Sequence, residues 1–68
     1  MTLGENIKRL RKKKGMTQKE LAKKAGLYPT LYIKIEHNFS KEPTIWSIVK
    51  IADALNVSLD SLIGRKVR

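Results

Sequence analysis

The sequence predicts an all-α domain of five short helices, and three observations carry that expectation. Helix-start signals recur: Thr2 with Glu5, Thr17 with Glu20, Thr44 after Pro43, and Ser58 ahead of Asp60. Between them apolar residues fall at spacings of three and four, the period of a half-buried helix. No strand-length alternation, internal repeat or low-complexity segment interrupts this pattern. At 68 residues the chain makes one domain, near the size at which a core alone still suffices for folding.

Thr2 and Glu5 form a capping box that opens the first helix, expected through about Lys14. Leu3, Ile7 and Leu10 supply its buried stripe, and Lys8, Arg9, Lys12 and Lys13 lie mostly on other faces. The basic run 11–14 complements the helix dipole in the last turn. Gly15 ends the helix, and Met16 drops into the core before the next start.

Residues 17–36 organise the rest. Thr17 and Glu20 form a second capping box, and Leu21, Ala22 and Ala25 follow at helical spacing. The two alanines leave room for another helix to approach closely. Gly26 suits the left-handed conformation that ends a helix, and Pro29 suits the first position of a new one. Tyr32 and Ile35 then face inward while Thr30 and Lys34 point away. Two helices joined so tightly are a helix-turn-helix, formed by helices 2 and 3, whose second helix is typically laid in the major groove of DNA.

Residues 37–42 read as a loop, with Asn38 able to take the left-handed cap. Thr44 caps a fourth helix with an apolar stripe of Ile45, Ile48, Val49, Ala52 and Leu55, closed by Asn56. Ser58 caps a fifth, carrying Leu59, Leu62 and Ile63, and Gly64 stops it. The helix-turn-helix domain is therefore expected over 1–64, with a basic tail at 65–68.

Charge bears on the partner. Fifteen Lys and Arg face six acids, net +9. Residues 1–24 carry nine basic and two acidic side chains, net +7, whereas 25–64 carry three and four, net −1. Such an uneven basic field points to a polyanion, with nucleic acid first, although lysine-rich surfaces also serve solubility. The longest apolar run, Leu31-Tyr32-Ile33, is far too short to span a membrane or serve as a signal-peptide core. A cytoplasmic, nucleoid-associated protein is expected. With no cysteine there is neither a disulfide nor a thiolate zinc site. His37 is the only histidine, and no Asp, Glu or His cluster has metal-ligand spacing, so no metal and no cofactor are expected. No nucleophile–base arrangement, phosphate-cradling glycine loop or catalytic carboxylate pair is readable, so no enzyme is expected.

The sequence resembles the phage repressor and Cro-like helix-turn-helix proteins, often called the Xre family. The resemblance runs from about Leu3 to Ile63. It is carried in order by Leu10-Arg11, Gly15-Met16-Thr17-Gln18, Glu20-Leu21-Ala22, Ala25-Gly26-Leu27, Ile35-Glu36, Pro43-Thr44-Ile45, Lys50-Ile51-Ala52, Ala54-Leu55 and Val57-Ser58-Leu59-Asp60. It implies a five-helix, lambda-repressor-like DNA-binding domain with a recognition helix at about 29–36.

The resemblance also implies roles. Gln18 sets register by bonding a phosphate and steadies the recognition helix, and Thr17 adds a phosphate contact at the helix N-terminus. Lys41 falls in the loop where relatives grip the backbone. His37, a lone histidine in the loop, reads apart from the resemblance as a surface residue, with a phosphate contact as its functional alternative. These contacts position the protein without reading sequence. Pro29, Thr30 and Lys34, with Leu31 beside them, occupy the base-reading positions. Lys34 can donate to guanine O6 and N7, and the Thr30 methyl can meet a thymine methyl. Arg11 and Glu36 are implied as a partly buried ion pair tying helix 1 to helix 3; the bland alternative is two unrelated surface charges.

Several residues depart from the family pattern. Tyr28 stands where Ser or Thr usually caps the recognition helix. Pro29 replaces a polar base reader, and Leu31 and Ile33 put apolar groups where small or polar ones are common. Hydrogen-bonded readout should be thin, with a preference for thymine-rich half-sites. Trp46 either packs on Phe39 over a core edge or stands exposed as an anchor for a partner.

The expected function is sequence-specific binding of double-stranded DNA by a small transcriptional regulator, a repressor by resemblance, acting as a homodimer. Relatives dimerise through the helix 4–5 region, which makes Val57, Leu59, Leu62 and Ile63, with Trp46, the candidate interface. The alternative is a protein-binding module on the same fold, such as an antitoxin, whose partner covers Tyr28, Leu31, Ile33 and Trp46.

Overall fold

Thr2, Thr17, Thr44 and Ser58 each accept a hydrogen bond on the side-chain oxygen from the backbone N–H three residues on, and each begins a helix. The computed structural model describes residues 2–38 and 43–63. Over them run α1 (Leu3–Lys13), α2 (Gln18–Ala25), α3 (Pro29–Glu36), α4 (Ile45–Leu55) and α5 (Leu59–Ile63), and no strand occurs among the described residues. Both expected capping boxes are complete, with Glu5 and Glu20 reaching back to the backbone N–H of Thr2 and Thr17. The turns close as the sequence requires. Gly15 and Gly26 have φ of 70° and 72°, and Asn38 and Asn56 have φ of 61° and 56°. The four share the left-handed region that glycine and asparagine tolerate best. Phe39, Lys41, Gly64 and the 65–68 tail lie outside the described residues, so the expected Phe39–Trp46 stacking and Lys41 contact do too.

The core forms where these helices meet. α2 packs on α3 and α4, while α1 packs on α3 and α5. Tyr32, Ile7, Leu21, Ile35, Ile51, Leu55 and Leu62 are wholly buried, and Ala22 and Ala25 allow the close approach of α2. Leu3, Met16, Leu27 and Val57 pack against this cluster from its edge. At the start of α1 the backbone itself is the contact surface. Gly4 donates its N–H to Asn38 Oδ1 at 3.1 Å, and a Cβ at this position would collide with the Glu36 carbonyl oxygen.

The apolar stripe of α4 differs from the expected one. Ile45 is 66% exposed and Val49 only half-buried, while Ile51 and Ala54 are buried. At 3.6 residues per turn the inward arc centres on Ile48, Ile51 and Leu55, and it takes in Ser47 and Ala54. Ile45 sits at its margin, in the first turn. Ser47 is tolerated inside because its hydroxyl bonds the Thr44 hydroxyl at 2.9 Å.

Candidate nucleic-acid interface

The orientation of α3 follows from three buried residues. Tyr32, Ile35 and Glu36 face inward, which turns Thr30, Lys34 and His37 outward at helical spacings of four and three. Leu31 and Ile33 flank this ridge and are each little more than a third exposed. Pro29 occupies the first turn, and Tyr28 stands at the N-cap without any side-chain cap hydrogen bond. The missing Ser or Thr is therefore not replaced by another cap within Tyr28 itself.

A polar hub locks the helix in place. Arg11 Nε and Nη2 both donate to Glu36 Oε1, at 3.3 and 2.9 Å, with both side chains almost wholly buried. Arg11 Nη1 donates to the Met16 carbonyl at 2.6 Å, and Gln18 Nε2 donates to Glu36 Oε2 at 3.0 Å. One carboxylate thus joins the end of α3 to the end of α1, and through Gln18 to the start of α2. A carboxylate only accepts, so Gln18 must present its NH₂ to Glu36, which fixes the amide's orientation. Tyr32 is buried beside the hub. Burial first, then the neighbouring Glu36 charge, raises its phenol above the usual range against the pull of Arg11. Its hydroxyl makes no protein hydrogen bond among the described residues.

The start of α2 offers a second candidate surface. The capping box satisfies the N–H groups of Thr17 and Glu20. The Gln18 and Lys19 amides, first in the helix, have no acceptor within it, which leaves donors suited to an anion. Glu20, held below the usual carboxylate range by the Thr17 backbone N–H and then by its hydroxyl, is engaged in the cap. Across α2 and α3 the exposed ionised side chains are Lys19, Lys23, Lys24 and Lys34 against Glu20 alone. The surface is basic.

The fold thus gathers Thr17 and Gln18 at one helix start and Thr30, Lys34 and His37 along the next helix, joined through the buried Arg11–Glu36 pair. The fourth and fifth helices divide the candidate dimer residues. Leu62 is wholly buried in the core and Val57 half-buried, whereas Leu59, Ile63 and Trp46 are exposed, Trp46 with the Lys50 ammonium 5.5 Å from its ring centre. Sequence reasoning did not find the Met16 carbonyl in the hub or the Tyr32 hydroxyl buried beside it. A carbonyl carries no residue signal, and Tyr32 reads as a core aromatic.

Comparison with known proteins agrees with this geometry. A family model described as Helix-turn-helix matches residues 7–62. The chain is 38% identical over 64 residues to the HTH-type transcriptional regulator SinR of Bacillus licheniformis, covering 94% of this chain and 58% of SinR. It is 40% identical over 65 residues to the cryptic phage CTXphi transcriptional repressor RstR of Vibrio cholerae, covering 96% and 57%. The chain thus spans less than two thirds of these relatives. Among solved structures, SinR, described as the master regulator for biofilm formation, in complex with DNA superposes with a TM-score of 0.84. That match has 38% identity and covers 90% of this chain and 97% of the other.

Proposed function

Because the chain belongs to the helix-turn-helix family of phage repressor and Cro-like (Xre) regulators, we propose that it regulates transcription by binding specific double-stranded DNA sites with α3 in the major groove. The observation that carries this reading is the exposed ridge of Thr30 and Lys34 on a helix held rigid by the Arg11–Glu36–Gln18 hub. Lys34 donates to guanine acceptors, and Thr30 and Leu31 meet neighbouring base edges. Thr17, Gln18 and the first amides of α2 hold a phosphate, with His37 and Lys41 on the backbone nearby. The solved DNA complex of a relative with this fold supports the arrangement. We assign the chain no catalytic role, and its place is the cytoplasm, on the nucleoid.

Two copies act together. One domain reads too few bases for genomic specificity, and a symmetric pair spans half-sites about 34 Å apart. Leu59, Ile63 and Trp46 supply exposed apolar surface for that pairing.

Salt titration of duplex binding tests the proposal. Affinity should fall with ionic strength at a log–log slope near about −0.9 per neutralised phosphate. Gln18→Ala should weaken every duplex alike, whereas Lys34→Ala should cost about 1–3 kcal/mol on the preferred site and relax the preference at one position. Duplex binding that ignores salt, or a Lys34→Ala protein with unchanged affinity and preference, would refute the docking of α3.

A further inference from the structure

We propose that the recognition helix selects its sites chiefly through thymine 5-methyl groups, with Leu31 and Ile33 as the specificity-determining side chains; this rests on the DNA-binding reading above. Two large apolar side chains lie partly exposed on α3, one on each flank of the ridge of Thr30 and Lys34. Leu31 is 38% exposed, Ile33 37% and Tyr28 82%, all on or beside the ridge of Thr30 and Lys34. The core does not need them, since Tyr32 and Ile35 already fill the inward face. Pro29 likewise brings no side-chain donor or acceptor, so on the exposed face of α3 hydrogen-bonded readout falls to Thr30 and Lys34. Thr30 and Lys34 stand between two apolar flanks.

The occupant of those flanks follows from continuity with the ridge: a helix seated in the major groove by Thr30 and Lys34 brings Leu31 and Ile33 onto base edges. Of all groups on those edges only the thymine 5-methyl is apolar. Cytosine carries hydrogen at C5 where thymine carries the methyl, so a C·G pair leaves Leu31 or Ile33 without that contact. Thymine is favoured for its methyl. Thr30 adds a further methyl on the same face. The mechanism differs from hydrogen-bonded readout in one measurable respect, because it discriminates thymine from uracil, whose pairing edge is identical.

The experiment first selects bound sites from a random-sequence duplex pool. It then resynthesises the selected duplex with deoxyuridine replacing thymidine one position at a time. Removing a methyl at a contacted position should weaken binding about three- to fivefold, the loss expected for one buried methyl-sized group. Leu31→Ala and Ile33→Ala should each abolish discrimination at a different position while keeping the salt dependence of the parent. Circular dichroism of both variants, whose side chains lie outside the core, controls for folding. Equal binding of uracil and thymine duplexes, with salt-dependent duplex binding intact, would overturn the methyl mechanism and leave the DNA-binding reading standing. Discrimination that survives in both variants would overturn the assignment to Leu31 and Ile33. Failure to bind any duplex at low salt would remove both readings together.

Discussion

Glu36 is the side chain on which most depends. It is 4% exposed, yet it carries a charge and takes three hydrogen bonds, from Arg11 twice and from Gln18 once. Burying both charges offsets much of their attraction, so the intact pair adds little net stability. Leaving one partner alone is a different matter. Arg11→Met should destabilise by about 3–5 kcal/mol, because the Glu36 carboxylate would remain buried without its counter-ion. The double variant Arg11→Met with Glu36→Leu should lose much less than the two single changes summed, since neither charge is then stranded. Urea denaturation of the four proteins checks this; single variants within about 1 kcal/mol of the parent would mark an exposed pair instead. Composition and periodicity alone could not have found this contact, because Arg11 and Glu36 lie 25 positions apart and each reads as a surface charge. Only the family resemblance joined them. The surrounding Met16 carbonyl and Tyr32 hydroxyl escaped even that, because neither bears a residue-level mark of its role.

The helices divide into capped and uncapped. α2 begins with a complete capping box, while α3 begins at Tyr28, whose side chain makes no cap hydrogen bond. Thr17→Ala should therefore cost about 1 kcal/mol, whereas Tyr28→Ser should gain about 0.5–1 kcal/mol by supplying the missing acceptor. The α2 cap also carries a pH signature. The Glu20 pKa is lowered in the fold by the Thr17 hydrogen bonds, so its contribution is present above the unfolded value. It is lost as pH falls through the lowered folded value. Thermal melts from neutral to acid should show a smaller drop in Glu20→Gln than in the parent, and an identical drop would contradict the cap's role. Helix starts and stops were legible because Thr, Ser, Pro, Gly and Asn act locally, through their own backbone and hydroxyls. The buried face of α4 was less so. Alternate apolar residues fit two neighbouring arcs of that helix, and only its packing on α2 and α5 decides that Ile51 goes in and Ile45 stays out.

At the scale of the whole chain, five short helices leave a basic exterior, net +9, with the acids of α2 and α3 either capping or buried. That distribution suits the proposed DNA partner, but charge alone does not say which helix would enter the groove. The proposal places α3 there because α3 is packed against α1 and α2 with Thr30 and Lys34 turned out. The most direct measurement is a two-dimensional ¹H–¹⁵N NMR titration of the chain with the selected duplex. Amide shifts should concentrate at 17–19 and along 29–37, with the Lys34 side chain perturbed by the selected duplex and not by one of scrambled sequence. Shifts confined to α5 and the Trp46 surface, with 29–37 unmoved, would contradict the placement of α3 in the groove.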